Sequence, residues 1–237
     1  MKYSLILLLV LSSSHVFAQQ AVFSDKNAEV RKVSPFSAIK ISGGIEVYLS
    51  QGDNYSLAVS AGDTEIRDHI KTEVNNGTLI ISFESSFFKR NSWNQKLRAY
   101  ISFSSLERLE GSGASDFRIN GTLNVSSLAV KLSGASEIEG TVKITDLSLE
   151  LSGASVVNLQ GATQNLKIKA SGASDVKNYD LQTDNCIAKI SGASDLRITV
   201  IRSILASASG ASTLYYKGNP EKSDISASGA SSISQKN

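Results

Sequence analysis

Cysteine is all but missing from the 237-residue chain: Cys186 stands alone, so neither an intrachain disulfide nor a cysteine-rich zinc site can form. Histidine is nearly as scarce. One of the two, His15, lies in a segment expected to be removed, which leaves His69 as the imidazole on offer for acid–base work. Charge of one sign is missing too. With 24 Lys and Arg against 22 Asp and Glu the net charge is +2, without the basic excess that marks nucleic-acid binding. There are two prolines, one methionine and one tryptophan, and aromatics make up 7%. Long hydrophobic runs are absent. Leu5 to Leu11 falls far short of the ~20 apolar residues of a membrane-spanning helix, so no transmembrane segment is expected in the mature chain. What is present is a 41% hydrophobic fraction, enough to bury a core, and 41 serines.

Residues 1–18 read as a signal peptide: Lys2, the apolar run from Leu5, then Val16, Phe17 and Ala18 before Gln19. Without a cysteine near the cut, a lipid-anchored N-terminus is not expected. The mature chain is then an exported, nearly neutral protein whose stability does not rest on disulfides. Residues 19–35 read as a polar leader, and residues 36–237 as a single domain.

The dominant signal is a repeat. Ser-Gly-Ala-Ser begins at Ser112, Ser133, Ser152, Ser171, Ser191, Ser209 and Ser228, at intervals of 18 to 21 residues. Seven copies at a nearly constant period indicate stacked solenoid units. Aligned on the first serine, the residues three and one before it are mostly apolar, as in Leu149 and Leu151 or Ile168 and Ala170. Those two before it (Glu110, Lys131, Glu150, Lys169, Lys189, Ser207, Ser226) are polar throughout. This alternation is that of a strand with one buried face. Five residues after the serine stand Phe117, Ile138, Val157, Val176, Leu196, Leu214 and Ile233, all apolar. Each unit is therefore two or three short strands separated by tight bends, and the expected fold is all-β: a single-stranded parallel β-helix of about 20 residues per coil, with coils ~4.8 Å apart. Residues 36–111 form irregular N-terminal coils and 112–237 the seven repeats. Leucine-rich horseshoes repeat at similar length but alternate strand with helix and carry an Asn ladder, which the alignment does not reveal.

In this frame Cys186 joins an apolar column as a small buried hydrophobe. Glycine suits a corner of positive φ. Asp116, Glu137, Asp175 and Asp195 form a carboxylate row, to be read as a solvated face neutralised by Arg118, Lys177 and Arg197, or as acid–base or calcium chemistry. The serine ladders lack a base and a Gly-x-Ser-x-Gly elbow, so no catalytic residue, metal ligand or cofactor site is expected.

Ahead of the repeats, short alternating segments run over Ala38 to Ile41, Ile45 to Leu49, Ser56 to Ser60, Leu79 to Phe83 and Leu97 to Phe103, with a turn at Asn76-Gly77. Thr64 to Val74 fits a short helix or a strand. Phe87, Phe88, Lys89, Arg90 and Trp93 gather aromatics and cations in one loop, as a ligand-binding site for a sugar or peptide or as a cap over the end of the solenoid.

Ser42-Gly43-Gly44-Ile45-Glu46-Val47-Tyr48-Leu49, then Asn76-Gly77-Thr78-Leu79-Ile80-Ile81, then the serial Ser-Gly-Ala-Ser units, resemble the bacterial family called putative auto-transporter adhesin, head GIN domain, over roughly Phe36 to Lys217. The resemblance implies a right-handed parallel β-helix exported by Gram-negative bacteria, without established catalytic residues. Nothing after the repeats is long enough for a translocating β-barrel, so self-secretion is not expected, and the periplasm, the cell surface and the medium remain open. Three functions follow: a non-enzymatic adhesin-like or envelope-binding module presenting an extended surface to glycan or envelope protein; a polysaccharide-degrading β-helix enzyme, by analogy of fold; or a structural, self-assembling spacer.

Overall fold

A computed structural model of the protein describes residues 25–83 and 96–236. The chain is nearly all β, a solenoid of about seven turns of roughly 19 residues. Before the repeats come β1 (Glu29–Arg31), β2 (Ala38–Ser42), β3 (Ile45–Gln51), β4 (Ser56–Ser60), the single turn of helix α1 (Thr64–Arg67), β5 (Ile70–Asn75), β6 (Thr78–Phe83), β7 (Leu97–Phe103) and β8 (Arg108–Ser112). The repeats supply β9 (Asp116–Leu132), β10 (Glu137–Leu151), β11 (Val156–Ala170), β12 (Asp175–Ile190) and β13 (Asp195–Ala208), then β14 (Thr213–Lys217), β15 (Lys222–Ala227) and β16 (Ser232–Gln235). Thr64 to Val74 is thus helix followed by strand. Asp63 caps the helix, its Oδ1 accepting from the Ile66 N–H at 2.8 Å.

Where short strands were expected, β9 to β13 each run unbroken from one Ser-Gly-Ala-Ser corner to the next. They bend inside the strand, and the parallel ladder slips at the bends, between Val157 and Gly161 in β11 and between Asn178 and Gln182 in β12. Bending within a paired strand keeps most backbone groups hydrogen-bonded to neighbouring coils, which separate short strands would not. Phe117, Ile138, Val157, Val176, Leu196 and Leu214 stack rung on rung at 0% exposure. One continuous apolar core runs from Phe36 to Tyr216.

The corners explain the serines and glycines. In each, the hydroxyl of the fourth residue donates to the carbonyl of the first, as Ser174 does to Ser171 at 2.9 Å, and in all but the last corner that fourth residue is buried. The glycine has positive φ, +77° at Gly172, and a Cβ there would meet the Gly153 carbonyl oxygen at 2.6 Å. On the outer face Lys131 Nζ lies 3.3 Å from Glu150 Oε1, a pair of opposite charges one rung apart.

At the N-terminal end, order in space departs from order in the chain. β2 pairs in parallel with both β6 and β8, and β3 with both β7 and β9. The first coil of the sequence is therefore second in the stack, inserted between the coil of β6–β7 and the coil of β8 and the start of β9. Beyond β6–β7 the chain covers its own end: β5 lies antiparallel on β6 and β4 antiparallel on β7, a coil run in reverse, with β1 antiparallel on β4. Part of the expected leader thereby belongs to the fold, since β1 and Asp25 pack onto this cap. At the other end β15 pairs with β13 and β16 with β14.

Candidate functional site

A groove of about 450 Å³ crosses five coils at the bend of the long strands. It lies nine to seven residues before each corner, where two outward columns flank an inward one. One wall is Asn124, Lys143 and Gln182, with Ala162 between them; the other is Ser126, Thr145, Gln164 and Asp184; Val125, Ile144 and Ile201 add apolar surface. Coils spaced ~4.8 Å apart make this a trough along the solenoid axis, of a size and mixed lining suited to an extended ligand.

The bend is held from beneath. Thr163 and Thr183 are buried, and Thr183 Oγ1 donates to the Asn185 carbonyl at 3.1 Å. Beside the groove an amide ladder climbs the coils: Asn165 Nδ2 donates to Asp146 Oδ1 at 2.8 Å, Asn185 Nδ2 to Asn165 Oδ1 at 3.1 Å, and Ser203 Oγ to Asn185 Oδ1 at 2.7 Å. An Asn-containing ladder is therefore present after all. Sequence alignment missed it, together with the groove, because both lie six to nine residues before the corner, outside the columns compared.

Chemically the groove offers amides and hydroxyls, which both donate and accept and so match a ligand rich in hydroxyls. Its one lining carboxylate, Asp184, sits 3.6 Å from the Arg202 guanidinium. Two carboxylates facing one bond, the arrangement glycosidases use, do not occur in this lining.

A second polar cluster lies on the outer face near the cap. Arg98 reaches Asp25 Oδ2 and Glu46 Oε2, each at 3.3 Å, and Arg118 bridges Glu46 at 3.3 Å and Glu139 at 2.7 Å. The Tyr100 hydroxyl donates to Asp25 at 2.9 Å, and its ring stacks on Tyr48 with centroids 5.1 Å apart. Burial and the hydrogen bond to Asp25 push the Tyr100 phenol up to about 12. Burial alone would raise the Asp25 carboxyl, but hydrogen bonds, that of Tyr100 among them, and the Arg98 charge outweigh it and hold it below the ordinary value. Burial pushes Asp116 up, Arg118 opposing and Glu46 and Glu139 adding. Asp25, Glu46, Arg98, Tyr100, Arg118 and Glu139 satisfy one another and fasten the cap to the first coils.

Of the residues singled out in the sequence, Phe87, Phe88, Lys89, Arg90 and Trp93 lie outside the described residues. In the sequence they fall between β6 and β7. Asp175 of the carboxylate row is neutralised by Lys177 at 3.4 Å and Arg197 at 3.1 Å. Cys186 is buried, and burial pushes its thiol up to about 12. Among the described residues, no group of three or more His, Cys, Asp or Glu could hold a metal ion, and no helix is long and apolar enough to cross a membrane.

Residues 35–220 match the family model described as "Putative auto-transporter adhesin, head GIN domain". Among solved structures, the chain is similar to a putative adhesin from Bacteroides fragilis, with 24% identity, 89% of this chain and 98% of that one covered, and a TM-score of 0.79. It is similar to a putative lipid binding protein from Parabacteroides distasonis, with 22% identity, 90% and 98% covered, and a TM-score of 0.66. A putative adhesin from Parabacteroides merdae follows at 14% identity, 89% and 96% covered, and the same TM-score of 0.66. These likenesses show a shared fold. No curated protein matches the chain.

Proposed function

The chain belongs to the head GIN domain family of adhesin-like proteins, and on that premise we propose that it is a non-enzymatic binding module that holds a linear, largely uncharged glycan along the solenoid axis. The observation that carries this reading is the five-coil groove, with Asn124, Gln164 and Gln182 amides beside an apolar strip. Such amides grip sugar hydroxyls, while the half-buried Val125 and the exposed Ile201 suit the apolar faces of sugar rings. Asp184 is paired with Arg202, and Lys143 is the one further charged side chain of the lining, so amides and hydroxyls dominate the groove and suit a largely uncharged polymer. Phe87, Phe88, Lys89, Arg90 and Trp93 are proposed as a second contact, for their aromatic faces and cations suit the same ligand class. The family name accords with an exported or surface protein; protease shaving of intact cells, followed by fractionation, separates surface display from the periplasm.

The test is affinity electrophoresis through gels containing soluble neutral polysaccharides, with anionic polysaccharides and lipid vesicles in parallel. Retention by a neutral glycan, weakened about tenfold in Gln164→Ala/Gln182→Ala, supports the reading. New reducing ends from the polymer, or binding to vesicles with no glycan retention, would overturn it.

A further inference from the structure

The C-terminal end of the described solenoid is built to receive another coil. In the column three before the corner, Leu109, Val130, Leu149, Ile168, Ala188 and Ala206 are at most 2% exposed, whereas Ile225 is 38% exposed. Ala227 is exposed and Ile233 partly so, although Ala208 and Leu214 one coil back are buried. The backbone is open as well. Ala208, Gly210 and Ser212 carbonyls accept from the N–H groups of Ser228, Ala230 and Ser232. Ala227, Gly229 and Ser231 hold the same places in the last coil, so their carbonyls face outward. Among the described residues nothing pairs with the outer edges of β15 and β16. Such an edge is a template for strand addition.

We propose that the occupant is a second copy of this chain, joined tail to tail about a two-fold axis. The molecule already shows that a reversed coil fits its cross-section. At the N-terminal end β4 lies antiparallel on β7, the arm after the corner, and the chain then lays β5 antiparallel on β6, the arm before it. A two-fold axis through the corner at Ala230 generates the same arrangement. The partner's β15 lies antiparallel on β16, and its β16 on β15. With the axis at Ala230, residues equally far from it come opposite one another: Ala227 meets the partner's Ile233, and Ile225 the partner's Gln235, so inward positions meet inward positions. On the outer face Asp224 meets the partner's Lys236, twice in the dimer, as an isologous interface requires. The opposite end is closed by β4 and β5, so stacking stops at two.

Sedimentation equilibrium of the purified protein tests this. The expected result is a dimer whose dissociation constant rises about tenfold in Asp224→Lys and is restored in Asp224→Lys/Lys236→Asp, with unchanged circular dichroism throughout. Ala230→Cys should form a disulfide-linked dimer on mild oxidation, since the residue faces its own counterpart, whereas Asn76→Cys at the capped end should not. A monomer at every concentration up to about 1 mM, single and double variants of equal affinity, open-ended filaments, or equal cross-linking from both cysteines would each overturn the proposal.

Discussion

Asn178 Oδ1 accepts the backbone N–H of Leu159 at 2.9 Å, a side chain standing in for a rung of the ladder. The coil from Ser171 to Ser191 is one residue longer than the coil before it, and pairing between β11 and β12 lapses from Val157 to Gly161. Asn178 is fully buried there, and its oxygen satisfies a donor that the bulge would otherwise strand. Replacing it with Leu leaves that N–H unsatisfied. The Asn178 Nδ2 is buried without a partner among the described residues, so Leu also removes one unsatisfied group; the expected net loss is about 1 kcal/mol, read from urea denaturation, and an Asn178→Leu variant more stable than wild type would show that the Oδ1 bond does not support the bulge.

Val176 sits at 0% exposure between Val157 and Leu196 in the most uniformly apolar column. Val176→Asp places a carboxylate where no partner can reach it, at an expected cost of several kcal/mol. Thermal melting checks this, and the outward Lys177→Asp serves as the control of small effect.

The corner is intolerant of a methyl group at its second residue and tolerant at its third. Gly172→Ala meets both a positive φ and the Gly153 carbonyl. It should cost about 1–3 kcal/mol of stability, read as a lowered melting temperature. Ala173→Gly at the exposed neighbouring position should cost less than half as much.

The Tyr100–Asp25 pair predicts how stability depends on pH. Tyr100 has its phenol raised from the ordinary 10 to about 12, so its contribution is full below pH 10 and drains away as pH rises toward 12. Asp25 is shifted the other way; its contribution is present above the ordinary 3.8 and is lost as pH falls below that value. In Tyr100→Phe the loss between pH 10 and 12 should shrink, as measured by denaturant titration at a series of pH values.

Cys186 should resist thiol reagents in the folded protein, because it is buried and its thiol, pushed up to about 12, is protonated at pH 8. Labelling should appear only with denaturant, in step with loss of circular dichroism. Rapid modification of the native protein would remove Cys186 from its apolar column.

Corners and columns were legible because each recurs every 18 to 21 residues with the same chemistry. Ser174 closes the turn through its own neighbour, and Val176 follows it into the core, whichever coil lies above. Local turn chemistry and period-two burial are properties of a short stretch of chain, so the order of residues alone determined the repeating coil, its inward faces and the buried place of Cys186. The placing of β2–β3 between β6–β7 and β8–β9 was settled elsewhere. Ser42-Gly43-Gly44 makes a corner whichever coils flank it, and pairing partners 40 to 70 residues apart leave no period to read. The reversed cap, the amide ladder through Asn165 and the groove between Gln164 and Gln182 are likewise products of how the coils lie on one another. They exist only once distant strands share rungs, and the surfaces on which binding and self-association are proposed were decided by that packing.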